Sequence, residues 1–410
     1  MVYSFTLDDV AFLRSHHGEQ ALAAVAELAL TSSTMISDVA WVRGRYAPHD
    51  AAVLETVRYR RRAGAKLRHA GRWLLTDDSL QQATPSVVAA HRAAEIARRY
   101  PGAVVHDLTC SVGGELVELS ARGELGGVIG SDLDRVRLAM AQHNSRFTDR
   151  PPTLLVADAL TPTSTADVVI ADPARRSGAT RVFRLDALIP PLPDVLTTYA
   201  DRPLIVKCAP GLDYRALRDQ FGFDGEVAIT SLDGGVREAC LWAGPGVVPR
   251  RRATVLRSGP DGAITEYEVT DTEPDDIASE GPVGTWIIDP DGAVIRAGLV
   301  RHYAYRHGLR QLDPQIAYLT GEAIPPGERG FRVLEQVPTA EKALRKALDA
   351  RDCGSLEILI RGLDIDPDLL RKKLRLRGSR PFALILTRIG RKAVGFVCEP
   401  GIREPVPGEG

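Results

Sequence analysis

Val104-Val-His-Asp-Leu-Thr-Cys-Ser-Val-Gly-Gly-Glu115 is the stretch whose reading decides the fold. A β-branched start runs into Asp107, and a small-residue turn containing Gly113 and Gly114 follows. A helix-period segment, Glu115 to Arg122, comes next. Strand, small-residue loop and helix in that order let backbone N–H groups approach a ligand at a helix N-terminus. The first glycine of a GxG pattern is Ser111 here, so this stretch needs its neighbours. Working outward, Gly127-Val-Ile-Gly-Ser-Asp132, Thr153-Leu-Leu-Val-Ala-Asp158 and Asp167-Val-Val-Ile-Ala-Asp-Pro173 are further strands. Each closes on a carboxylate. Together they predict one edge of a doubly wound α/β sheet, whose ligands sit beyond the carboxyl ends of the strands.

These residues resemble a class I S-adenosylmethionine-dependent methyltransferase, with a Rossmann-like sheet, over roughly residues 80–245. The resemblance implies S-adenosyl-L-methionine as cofactor. Asp107, Cys110, Ser111 and Gly113 match the motif that wraps its methionine part. Asp132 matches the acid that holds the ribose hydroxyls, and Asp158 the acid that meets the adenine amine. Asp172-Pro173-Ala-Arg175 matches the substrate-side motif of the fourth strand. Leu80 to Pro85, with Gln82 and Thr84, resembles the loop that covers the cofactor in RNA-modifying methyltransferases. The residues by themselves also allow plainer roles: a helix cap for Asp132 or Asp134, and a solvated turn for Asp158.

The 410-residue chain is long for one domain, and its 44% hydrophobic content is ordinary. The net charge of −1 rules out a polycation. Five widely spaced cysteines form no CxxC or Cys/His cluster, which predicts no metal and reduced cytoplasmic thiols. No apolar run approaches the ~20 residues of a membrane span, and no signal peptide is evident. We expect a helical segment over 1–100, rich in arginine from Arg43 to Arg68, with Thr6 or Ser4, His49-Asp50 and Thr84-Pro85 at helix starts. The methyltransferase sheet follows over 101–246, closed by a hairpin of Gly225–Ile229 with Glu238–Trp242. Val247 to Arg252 then reads as a linker. A β-rich region follows over 253–329, with a hairpin turn at Asp289-Pro-Asp-Gly292. Residues 330–402 read strand, helix, strand, helix, strand, strand, with helices Ala340 to Arg351 and Pro367 to Leu376. This tail resembles the small α/β domain called THUMP-like that accompanies methyltransferases.

The segment Asp172-Pro-Ala-Arg-Arg-Ser-Gly178 bears on the substrate. Enzymes that methylate exocyclic amines keep an aromatic where Arg175 stands. RNA 5-methyluridine enzymes keep an arginine there, which can stack on a base or pair a phosphate. A surface ion pair is the plainer role. In those same enzymes a cysteine at the place of Cys208 attacks carbon 6 of the pyrimidine, and a glutamate at the place of Glu238 removes the proton from carbon 5. Lys207 would lower the thiol pKa, although Ala209 replaces the usual Asn, and a buried cysteine is also an ordinary small apolar residue. Finally, Arg371, Lys372, Lys373, Arg375, Arg377, Arg380, Arg388, Arg391 and Lys392 form a run with no acid between them. Such a run binds polyanions by counterion release, or is simply a solvated face. The sequence thus predicts a methyltransferase acting on a base nitrogen of structured RNA, transfer or ribosomal. A carbon methyltransferase using Cys208, an enzyme of small molecules or proteins, and a non-catalytic RNA-binding module are the alternatives.

Overall fold

A computed structural model describes residues 3–175, 188–209, 211, 214–248, 250–259, 261–277 and 281–405. Two compact units divide the chain: Met1–Val227 with Arg237–Pro249, and Ala228–Val236 with Arg250–Gly410.

The first unit holds helices Leu7–Leu13, His16–Ala26, Met35–Tyr46, Asp50–Ala63, Asp77–Gln82 and Ser86–Arg99 ahead of the sheet. Thr6 caps the first of these through a capping box with Asp9. His49 stands at the start of Asp50–Ala63 but makes no capping bond. Its ring turns instead to Asp9, with Nδ1 2.9 Å from the carboxylate. The helical segment shares a core with the sheet unit: Leu22, Val53, Trp73 and Leu74 belong to one buried cluster with Val112 and Met140.

Six strands of the sheet concern the site: β1 Val104–Asp107, β2 Gly127–Asp132, β3 Thr153–Val156, β4 Val168–Ala171, β5 Leu204–Cys208 and β6 Gly235–Ala243. Their order is β3-β2-β1-β4-β5-β6. The first five run parallel, and β6 runs antiparallel to β5. All four residues of β4 are buried, as expected where both faces of a parallel sheet are covered. The strand order reverses between β1 and β4. The crevice at the carboxyl ends of these strands is therefore the ligand position for this topology. The chain enters β6 from the strand Glu226–Leu232 through Asp233-Gly234, both at positive φ, the conformation of a two-residue hairpin turn.

In the second unit, Arg250–Ser258 pairs antiparallel with Ile264–Thr270. The strand therefore takes in Arg250, Arg251 and Arg252 of the expected linker. Arg252 is buried in the ladder and paired with Glu268, so it cannot be a solvated spacer. Asp289-Pro-Asp-Gly292 makes no hairpin. Asp291 accepts the N–H of Ala293 at 2.8 Å and starts the helix Gly292–Arg296, a capping role that Asp-Gly serves as readily as a turn. Residues 329–398 form strand, helix, strand, helix, strand, strand in the expected order, with helices Glu341–Asp349 and Pro367–Leu374. Leu344, Leu348 and Leu374 pack on Phe382, Leu384 and Leu386 of the strand Arg380–Ile389. The strand Trp286–Asp289 pairs with Arg329–Val337, so the β-rich region and the tail share one sheet. No described helix is long and apolar enough to cross a membrane.

Candidate active site

The loop after β1 is shaped by two left-handed residues, Ser111 at φ 50° and Gly113 at φ 87°. Gly113 has a packing reason: a Cβ there would lie 3.2 Å from that of Ala141. Ser111 holds a conformation that favours glycine, at a cost of about 1 kcal/mol. What it delivers is its N–H, which donates to Asp132 Oδ2 at 3.0 Å. The N–H of Asp134 donates to the other oxygen, Oδ1, at 2.8 Å. Asp134 itself caps the helix Arg135–Ser145 by accepting from Val136 and Arg137. The two acids therefore divide the roles: Asp134 is the cap, and Asp132 is fixed at the end of β2 with one lone pair left on each oxygen.

Asp158 lies exposed past β3, where Oδ1 accepts the N–H of Leu160 at 2.8 Å. Gln82 ends the short helix Asp77–Gln82 and bonds Asp78 at 2.9 Å, and Thr84 follows half-buried. Arg137, in the first turn after Asp134, pairs with Asp78 at 2.8 Å. That contact brings the Gln82 segment to the carboxyl end of β2.

Cys110 and Asp107 are buried. Asp107 accepts the N–H of Thr109 at 3.1 Å. Burial, with Glu115 nearby, pushes its carboxyl up to about 7 against the pull of Lys207. Thr109 Oγ1 in turn accepts the N–H of Asp172 at 2.7 Å, tying the end of β4 to the end of β1. The carboxylate of Asp172 is exposed and held by Lys207 Nζ at 2.5 Å. Pro173 beside it is buried. Ala174–Arg175 pairs with Leu188–Ile189 as a two-residue ladder. The Arg175 side chain lies outside the described residues, as do Arg176, Ser177, Gly178 and Pro210.

Beneath Asp172 lies a buried charge network that sequence reasoning missed. Lys207 Nζ is also 4.0 Å from Glu115. Glu115 takes a bidentate pair from Arg92, whose Nε lies 2.8 Å from Oε1. The same guanidinium reaches Glu238. Burial opposes the charges on Lys207 and Arg92, but their acidic partners outweigh it, and both pKa values rise. Arg92 faces inward from the amphipathic helix Ser86–Arg99, and Glu115 sits in the first turn after the glycine loop. Their helical positions were the available signal.

This network changes what Glu238 and Cys208 can do. Glu238 is buried, and its Oε1 is engaged by Arg92 and faces the Cys240 thiol at 3.4 Å. Cys208 is buried as well. Burial first, then the charges of Asp172 and Glu238, push its thiol up. Lys207, expected to lower it, is committed to Asp172. Among the described residues no group of His, Cys, Asp and Glu is arranged to hold a metal ion.

The basic run is split in space. Lys372, Lys373, Arg375, Arg377 and Arg380 are exposed on the end of one helix, the following turn and the start of a strand. Arg371 pairs with Asp368 at 2.5 Å, and Arg388 bonds Gln315 at 2.5 Å. Exposed Arg391 and Lys392 stand at the other end of the ten-residue strand Arg380–Ile389, about 30 Å away at strand rise.

Comparisons with known proteins bear on the family and the fold. Residues 328–400 match the family described as THUMP domain-like, and residues 6–63 match a domain of unknown function, DUF8688. Two Mycobacterium tuberculosis proteins, from strains CDC 1551 and H37Rv, are 49% identical over 376 residues, 88% of this chain and 99% of theirs. Both are named as uncharacterized S-adenosylmethionine-dependent methyltransferases. A crystal structure from Porphyromonas gingivalis W83, of a protein assigned by inference as a methyltransferase, covers 97% of this chain and 99% of its own. Its TM-score is 0.74 at 19% identity, which shows a shared fold. The chain belongs to the S-adenosylmethionine-dependent methyltransferases, and its C-terminal part is THUMP-like. Its cofactor is S-adenosyl-L-methionine. The groups at the β1 and β2 ends fit that molecule: carboxylate lone pairs on Asp132 free to accept from the ribose hydroxyls, and a backbone turn free of side chain at Gly113.

Proposed function

We propose that this methyltransferase modifies a base nitrogen in structured RNA, transfer or ribosomal. The observation that carries the RNA reading is the exposed cluster from Lys372 to Arg380 on the THUMP-like domain, where no acid interrupts the run. Each such cation that meets a phosphate releases counterions, and shape recognition of folded RNA needs no aromatic platform. The atom choice rests on Asp172. Its carboxylate is exposed at the carboxyl end of β4, and its position is set by Lys207 and by the Thr109 bond to its backbone.

The bound cofactor supplies an electrophilic methyl group on a sulfonium. Asp132 and the Ser111–Gly113 turn hold its ribose and methionine ends, and Asp107, Cys110, Asp158, Gln82 and Thr84 complete that half of the site. Asp172 accepts an N–H of the target base, which would orient the nitrogen lone pair toward the methyl carbon. Asp172 takes the N–H proton as the N–C bond forms and the S–C bond breaks, the sulfonium leaving as the neutral thioether. Pro173 shapes the base side of the same turn. Most of the rate then comes from positioning. The carbon route through Cys208 and Glu238 has less support: it needs a thiolate, and burial beside two carboxylates favours the thiol.

The test is incubation with methyl-labelled cofactor and total RNA from a strain lacking the protein, followed by nucleoside analysis. We expect label in an N-methylated nucleoside. Label in 5-methyluridine supports the carbon route, and label only in small molecules or protein removes RNA from the account. Replacing Lys372, Lys373, Arg375 and Arg377 by Gln weakens RNA binding and flattens its salt dependence, by up to about 0.7–0.9 in slope per lost phosphate contact. An unchanged slope takes this cluster out of the interface.

A further inference from the structure

A second cavity, separate from the cofactor end of the sheet, lies among the N-terminal helices and the far end of the helix Arg135–Ser145. Its volume is about 590 Å³, within the usual range for a small-molecule site. Its lining carries an excess of positive charge: Arg60, Arg61, Arg72 and Arg146 against the single acid Glu19. Arg61 is spent on structure, donating to the carbonyls of Ala26, Leu28 and Ala29 at the end of the helix His16–Ala26. Arg146 pairs with Glu19 at 3.0 Å. Arg60 donates Nε to the Trp73 carbonyl at 2.8 Å, and its terminal nitrogens have no partner among the described residues. Arg72 has a ring contact, 5.0 Å from the Phe147 centroid, and no ion pair among the described residues.

His143 does not add to the charge. Burial, then Arg146, pushes it down to about 4, so it is neutral and accepts from Arg146 while donating to the Arg72 carbonyl. It is a strut for two of the arginines. The cavity therefore gathers more positive charge than its one acid neutralises. Burial first, then the charge of Arg146, lowers the Arg60 guanidinium to about 10 against the pull of Glu19. Phe147 adds an apolar ring that is 49% exposed, with Arg146 4.5 Å and Arg72 5.0 Å from its centroid. Leu22 and Val57 supply an apolar wall.

We propose that this cavity binds a nucleotide, its phosphate between Arg60 and Arg72 and its base or sugar against Phe147. An anion there relieves the repulsion among the arginines, and the half-exposed Phe147 ring with the two guanidiniums beside it offers a planar base a mixed apolar and cationic surface. The chemistry is that of a nucleoside monophosphate unit, either free or within an RNA strand. A strand here would be a contact additional to the basic cluster of the THUMP-like domain.

The experiment uses the full chain with the cofactor site saturated by S-adenosylhomocysteine, so that adenine compounds cannot report on that site. Calorimetry then compares AMP, adenosine and inorganic phosphate. We expect AMP to bind at least about tenfold more tightly than adenosine, the scale of one or two charged hydrogen bonds. Arg60→Gln and, independently, the exposed Arg72→Gln each lower AMP affinity by about tenfold while S-adenosylhomocysteine affinity holds. Phe147→Ala weakens AMP and leaves inorganic phosphate unchanged. A short 5′-phosphorylated RNA that AMP displaces assigns the cavity to a strand, and AMP binding without displacement assigns it to a free nucleotide. Equal binding of AMP and adenosine, no AMP binding, or wild-type AMP affinity in both arginine variants overturns the proposal. A protein that methylates RNA yet gives any of those results loses this assignment alone.

Discussion

The two halves of the crevice are built from different materials. At the ends of β1 and β2, the fixed points are backbone N–H groups: those of Ser111 and Asp134 hold Asp132, and that of Thr109 holds Asp107. At the ends of β4 and β5, the fixed points are side-chain charges: Lys207 holds Asp172, and Glu115 and Arg92 stand behind it. A backbone cradle holds one shape and suits a cofactor that is always the same. A charge network sets the protonation of its members as well as their position, which suits the end where a proton must leave. It also couples its members, so changes there are not additive.

The largest expected effect falls on the charged half. Asp172→Ala lowers turnover by roughly 10²–10⁴-fold, the usual weight of a positioned proton acceptor. A variant within about threefold of wild type in single-turnover assays would remove Asp172 from the chemistry and break the contrast. A smaller effect concerns pH. The folded state raises the Asp107 carboxyl from an ordinary 3.8 to about 7, so it binds more protons than the unfolded chain between those values. Stability from this group is therefore full below about pH 4 and is lost as pH rises toward 7. Asp107→Asn should flatten that part of the melting-temperature profile of the cofactor-free protein, and an unchanged profile would show that Asp107 titrates normally.

Smaller still is Ser111→Gly. It relieves the left-handed serine but loosens the unfolded chain, for a net gain of at most about 1 kcal/mol in chemical denaturation. A loss of more than that would mean the Ser111 side chain has a role that its backbone bond does not describe. Smallest is Cys208→Ser, which we expect to keep most activity because nitrogen methylation needs no covalent adduct. A dead Cys208→Ser, together with trapping of 5-fluorouracil-containing RNA by the wild-type enzyme, would favour carbon methylation.

The backbone-built half was legible in the sequence because its signals are local. Each strand ends within two residues of its acid, and Gly113 and Gly114 follow within seven residues of Asp107. The alternation of strands and helices in residues 329–398 was legible for the same reason. The charged half was not, because Arg92 meets Glu115 across 23 residues and Glu238 across 146. Sequence adjacency also misled: the basic run reads as one stripe, but a ten-residue strand separates its two clusters. At Asp289-Pro-Asp-Gly292 the same residues serve a turn or a helix cap, and only the packing of the following helix decides. The helix Met35–Tyr46 went unread, since it starts without a side-chain cap and buries only Val42 fully.

Calorimetric titration of S-adenosylmethionine into wild-type protein, Asp132→Ala and Asp172→Ala tests the division of the crevice most directly. The account predicts binding to the wild type and a loss of roughly 1–3 kcal/mol in Asp132→Ala, where the ribose hydroxyls lose their acceptor. It predicts near-wild-type affinity in Asp172→Ala. No binding to the wild type, unchanged affinity in Asp132→Ala, or equal losses in the two variants would contradict it.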